Sequence, residues 1–169
     1  VAKGNHVGLA FGYLENDNSK LYSSYLFIDN MGNEVYNYRR YTSGWKEIYA
    51  DQKIYQEGKD VGVFSYKDKK IAIGLCGDFW DERYDYIERI AQIEKDFVIW
   101  PVYVNFTIEE WNKELEEYAK QSFLFGDRVL MINSLSKNPC SHGGSFDFMN
   151  GKVRERTSFD KEDILIVSI

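Results

Sequence analysis

Cys76 follows a strand-forming run, Lys70 to Leu75 (KIAIGL), and precedes Gly77, Asp78 and a stretch that reads as a helix. A thiol at the end of a buried strand, with a small residue after it, faces backbone N–H groups whose orientation favours the thiolate. The chemistry this suits is acyl transfer, in which sulfur attacks a carbonyl carbon while a nearby N–H holds the oxygen. The same residue also fits a small apolar core position, because free cysteines are among the most buried side chains. A second thiol, Cys140, lies two residues before His142 in the stretch SLSKNPCSHGGS. Such a pair is the outline of a thiol-protease site, yet the sequence specifies no third group to orient the imidazole, so this loop reads as a pocket rim. Nor do Cys140, His142 and a carboxylate match a standard metal-ligand spacing.

Positioning Cys76 requires a sheet, and the chain supplies strand patterns on both sides of it. His6 to Tyr13 and Lys20 to Asp29 read as strands, Asp29 to Asn33 supplies turn residues, and Glu34 to Tyr41 returns as a third strand. Ser43 to Asp60 is polar with scattered aromatics and reads as a surface loop. Val61 to Tyr66, a turn at Lys67 to Lys69 and Lys70 to Cys76 form a hairpin that delivers the thiol. Asp81 to Ile93 places Tyr84, Ile87, Ile90 and Ala91 at helical spacing, and Phe97 to Val104 is a central strand with Pro101 at its exit. Thr107 and Glu110 make a capping box for a helix whose buried stripe is Trp111, Leu115, Tyr118, Ala119 and Ser122, ending at Gly126. Arg128 to Leu135 is a strand, Ser136 to Gly144 a loop, and Ser145 to Phe148 with Lys152 to Thr157 a hairpin about Asn150 and Gly151. Ile164 to Ile169 reads as an edge strand. Hairpins mixed with strand-helix-strand units predict a mixed sheet covered by helices, an α/β layered sandwich.

The 169 residues suffice for one domain, 1–169, and show no repeat or linker. A net charge of −6 argues against non-specific nucleic-acid binding, which rests on Lys and Arg neutralising phosphates. Two distant cysteines and two distant histidines give neither a disulfide framework nor a zinc cluster, which fits a reducing cytoplasm. The longest apolar run, Phe97 to Val104, is too short to cross a bilayer, and no charged-then-apolar leader opens the chain. Val1 in place of Met, with a strand pattern starting at His6, suggests either the interior of a longer protein or a trimmed chain.

Several motifs recur in a telling order. They are Tyr38-Arg39-Arg40; Cys76-Gly77-Asp78-Phe79-Trp80 with Glu82 beyond; Pro101 in WPVYV; Asn133; and Gly144-Ser145 leading to Phe148 and Gly151. In this order the chain resembles the carbon-nitrogen hydrolase (nitrilase) superfamily. The resemblance implies a four-layer αββα sandwich, of which this chain matches the C-terminal two thirds, with the N-terminal strand-helix-strand portion and its general-base glutamate missing. It implies cleavage of a small amide or nitrile through a cysteine thioester, without cofactor or metal, in a homodimer or other homo-oligomer. By that likeness Cys76 is the nucleophile and the Gly77 N–H an oxyanion donor. Arg40 stands where the family has its triad lysine, keeping the charge but unable to give up a proton. Lys46 is a second candidate amine, Glu57 either a supporting carboxylate or a solvated loop charge, and Trp80 and Tyr103 are pocket walls or core aromatics. The departures at Arg40 and at the glutamate keep open a non-catalytic binding or assembly module. An acyltransferase or amidotransferase half with the same thiol chemistry is a third reading.

Overall fold

The computed structural model describes residues 1–169. A short helix α1 (Ala2–Asn5) closes at His6, whose φ of 54° turns the chain into β1 (Leu9–Asp17). β1 pairs antiparallel with β2 (Lys20–Ile28) through a two-residue turn at Asn18 and Ser19, both at positive φ, the geometry that matches strand twist. The strand predicted over His6 to Tyr13 is therefore displaced toward the C-terminus. Pairing with β2 carries the polar residues Glu15 to Asp17 into the ladder, a tertiary influence that composition alone does not report. Asp29 builds the next turn, accepting the N–H groups of Met31 and Asn33 at 2.8 Å each, and β3 (Glu34–Arg39) completes a three-stranded sheet.

The larger sheet begins with the predicted hairpin of β4 (Gly62–Tyr66) and β5 (Lys69–Ile73). It continues with β6 (Phe97–Val102) and β7 (Arg128–Asn133), both parallel to β5. A two-stranded ribbon, β8 (Leu135–Lys137) and β9 (Cys140–His142), occupies the stretch expected to be loop. The hairpin of β10 (Ser145–Met149) and β11 (Lys152–Arg156) finishes a mixed six-stranded sheet in the order β11-β10-β7-β6-β5-β4. Residues 157–169 form no strand, and Ile164 and Ile166 are exposed, so the expected edge strand at Ile164 to Ile169 is not present.

Two helices cover the sheet. α3 (Ile108–Phe123) starts at Thr107, whose hydroxyl accepts the Glu110 N–H while the Glu110 carboxylate accepts the Thr107 N–H. It buries Trp111, Tyr118, Ala119 and Ser122, four of the five positions in the predicted stripe. α2 (Tyr86–Ala91) is much shorter than the predicted helix over Asp81 to Ile93. Asp81 spends its carboxylate on the backbone and guanidinium of Arg83, which favours a turn over a helical start. The two sheets meet through aromatic side chains: Tyr36 stacks on Phe64 at 4.9 Å between ring centroids, and Phe27 packs against Phe64 and Tyr66. The chain thus forms two facing sheets and a helical layer, with Ile73, Val98, Trp100, Val129, Met131 and Phe146 at its centre.

Candidate functional site

Past β5 the backbone bends sharply at Cys76, which adopts φ 46°, a left-handed conformation that a side chain with a Cβ rarely takes. A single 3-10 turn over Cys76–Phe79 follows. Such strain persists only when the surroundings enforce it, and three side chains do so here. The fully buried Asp78 carboxylate accepts the Leu75 N–H at 2.8 Å, the Tyr38 hydroxyl at 2.8 Å and the Thr42 N–H at 2.9 Å, tying the bend to the end of β3. Burial pushes the Asp78 carboxyl above its ordinary value, and the Arg40 cation and these donors act against that shift. From β6, the Trp100 indole N–H donates to the Cys76 carbonyl at 3.0 Å. The Gly77 N–H has no partner within the chain and remains available as a donor.

Arg40 points inward. Only 8% exposed, it donates from Nε to the Thr42 hydroxyl at 3.0 Å and lies 3.9 Å from the Asp78 carboxylate. Its Nη2 rests against Gly77 so closely that a Cβ there would come within 2.5 Å of it. The requirement for glycine after the thiol is therefore one of space, imposed by the guanidinium.

Cys76 and Arg40 share the wall of a cavity of about 710 Å3 between the ends of the two sheets. β1 and β2 form one side; Trp45, Tyr103 and Asn133 contribute from the loops and strand ends opposite. Asn133 fastens that end, accepting the Val104 N–H at 2.9 Å and donating to the Gly143 carbonyl at 3.0 Å. Apart from Cys76, Arg40 and tyrosines, no ionisable side chain lines the cavity.

The other sequence candidates separate. Tyr103 is on the wall, its hydroxyl donating to the Cys140 carbonyl at 3.1 Å. Trp80 instead packs on Trp100 and Tyr118, within the aromatic layer beneath α3 and off the wall, because the 3-10 turn rotates it away from the thiol. Lys46 and Glu57 pair with each other, and the lysine also donates to the Tyr55 carbonyl at 2.9 Å. Neither reaches the cavity, because their attraction is satisfied inside the loop after β3. Sequence reasoning did not find Tyr38 and Thr42 as the supports of the bend, or Trp45 as a wall. The one available signal was the acidic residue two after the cysteine, which gave no indication of its partners.

No protein-family model and no curated protein matches this sequence. Solved structures do match. A carbon-nitrogen hydrolase from Helicobacter pylori G27 superposes with a TM-score of 0.74 at 15% identity, over 96% of this chain and 61% of that one. The glutamine-dependent NAD+ synthetase from Acinetobacter baumannii gives 0.73 at 20% identity, over 92% of this chain and 30% of that one. A glutamate-to-glutamine mutant of an amidase from Nesterenkonia sp. AN1 gives 0.69 at 12% identity, over 90% of this chain and 59% of that one. The chain thus spans between 30% and 61% of the length of these proteins. Its fold is that of the carbon-nitrogen hydrolase (nitrilase) superfamily.

Proposed function

We propose that this chain acts on small amides through a thioester at Cys76. The observation that carries this reading is the convergence of a thiol held in a left-handed bend and the Arg40 guanidinium on one cavity wall. The Cys76 sulfur attacks the carbonyl carbon, and the oxygen takes up negative charge against the Gly77 N–H and Arg40. The C–N bond then breaks, the amine leaves with the proton the thiol gave up, and the acyl group stays on sulfur. Water completes the cycle, releasing the acid and restoring the thiol. In the glutamate-to-glutamine mutant of the Nesterenkonia amidase, the acetamide moiety of fluoroacetamide adds covalently at the active-site cysteine. That precedent belongs to that protein, and it suggests the probe to use here.

The absence of a carboxylate from the wall favours a second reading, a binding module that retains the thiol without turnover. With no base there, departure of the amine and activation of water rest on a group outside the wall. Both readings meet the same experiment, in which the intact chain is incubated with fluoroacetamide and with simple amides, followed by peptide mapping and an ammonia assay. A Cys76 adduct together with ammonia release supports hydrolysis, and an adduct without ammonia supports the binding module. An unlabelled Cys76 in the folded chain, with full labelling after denaturation, overturns both.

A further inference from the structure

Away from the Cys76 cavity, the ribbon of β8 and β9 gathers a second group of chemistry-bearing side chains. Cys140 and His142 sit two apart on β9 and so project to the same face, with Sγ 3.7 Å from Nε2 of the imidazole. The other ring nitrogen, Nδ1, lies 2.5 Å from Oδ1 of Asp160. This is the third, orienting group that the local sequence did not specify. Asp160 is itself held in place, because its backbone N–H donates to the His142 carbonyl at 2.9 Å. It adopts φ 59°, a conformation that Asp tolerates better than most residues. Two bonds to one residue thus fix the carboxylate against the ring edge. With Nδ1–H donated to that carboxylate, Nε2 presents its lone pair to the sulfur.

The thiol is exposed and opens onto a hollow of about 680 Å3, lined also by Lys137 and Lys161 and distinct from the Cys76 cavity. The ribbon is braced at this point: the Ser136 hydroxyl donates to the Pro139 carbonyl at 2.7 Å, and Tyr103 donates to the Cys140 carbonyl. Acyl transfer calls for donors around a developing oxyanion, whereas exchange between sulfurs needs only a thiolate, access and a stable leaving thiolate. The exposed setting of Cys140 meets the second set of requirements.

We propose that Cys140, His142 and Asp160 form a second thiol centre, separate from Cys76, that exchanges with small disulfides. The Cys140 proton passes to Nε2 of His142, and the thiolate attacks one sulfur of the incoming disulfide. Its S–S bond breaks as a new S–S bond joins that sulfur to Cys140. The other sulfur leaves as a thiolate and takes the proton from His142, so one disulfide replaces another and the incoming disulfide is the only co-reactant.

The test uses the intact chain carrying Cys76→Ser, treated at pH 7 with oxidised glutathione and followed by mass mapping of the mixed disulfide. Cys140 is expected to react at least about tenfold faster than the same cysteine in a free peptide of residues 135–145, which lacks Asp160. His142→Gln should bring the rate down to that of the peptide, with partial recovery on adding imidazole, and Asp160→Asn should give a smaller loss. Equal rates for the intact chain and the peptide overturn the proposal. So does an unchanged rate in a His142→Gln chain whose circular dichroism matches the parent. Should that variant fail to fold, the comparison with the peptide decides alone.

Discussion

Cys76 is held by buried groups from 24 to 40 residues along the chain, whereas Cys140 sits on an exposed ribbon with its imidazole partner two residues away. The bend at Cys76 depends on Asp78 reaching Tyr38 and Thr42, 40 and 36 residues away, and on Trp100, 24 residues away. Cys140 depends on a histidine two residues on and an aspartate bonded to that histidine. One thiol is part-buried beside a cation, and the other is exposed beside an imidazole. The difference teaches that a part-buried thiol beside a cation suits holding an anionic oxygen, while an exposed thiol beside an oriented imidazole suits giving up a proton. It also means that damage to the sheet interface should silence Cys76 and spare Cys140.

The largest effect expected is on chemistry. If the chain hydrolyses amides, Cys76→Ala should lower turnover by at least about a thousandfold, read as ammonia release, and Cys140→Ala should leave it unchanged. Equal losses from both substitutions would erase the distinction between the two thiols.

Next comes the anchor of the bend. Asp78→Ala leaves the Leu75 and Thr42 N–H groups and the Tyr38 hydroxyl without their acceptor, and leaves Arg40 without its counter-charge. Breaking a buried pair of this kind costs about 3–5 kcal/mol, which denaturant unfolding should detect. In the chain that still folds, adduct formation at Cys76 should be lost while exchange at Cys140 persists.

Gly77→Ala probes the same bend more gently. The added methyl meets Arg40 Nη2, the end of a side chain that can move, so the expected cost is about 1–3 kcal/mol. Displacing the guanidinium should slow adduct formation more than it lowers stability. Kinetics and unfolding of the same variant give both readings.

The smallest effect is one of pH. Arg39 and Arg40 leave β3 on opposite faces: Arg40 turns in toward Asp78, while Arg39 turns out to the Glu15 carboxylate and lies over the Tyr22 ring. The Arg39 guanidinium, helped by Ser24 and Asn37, holds Glu15 down to about 2 from an ordinary 4.5. Because the folded value is the lower one, this pairing contributes fully above pH 4.5 and is lost as pH falls toward 2. Stability measured across that window should fall less steeply in Glu15→Gln than in the parent. If Cys76 labelling at pH 7 is the same in Glu15→Gln as in the parent, the inner and outer faces of β3 are independent.

Much of the scaffold was legible because its signals are local. The capping box at Thr107 and Glu110, the turn at Asp29 to Asn33 and the β-branched run at β6 each carry their reason within a few residues. The candidate pair Cys76 and Arg40 was also reachable, through motif order and resemblance. Legibility stopped where a charge had a choice of partners. Lys46 and Glu57 satisfy each other in a loop, and nothing in their spacing distinguishes that from a reach into the site. It stopped equally at α2, where Asp81 captures Arg83, and at Ile164 to Ile169, where an apolar run finds no strand to pair with.

What the amino-acid order determined by itself was the hairpin strand that ends at a thiol, the central strand β6 and the capped helix α3, because propensity, capping and alternation act over short distances. What only the tertiary structure decided was which groups meet. Asp78 grips Tyr38 and Thr42, Arg40 presses on Gly77, and Asp160 returns to His142, because a contact between distant residues is fixed by how sheets and loops pack rather than by any residue's own preference.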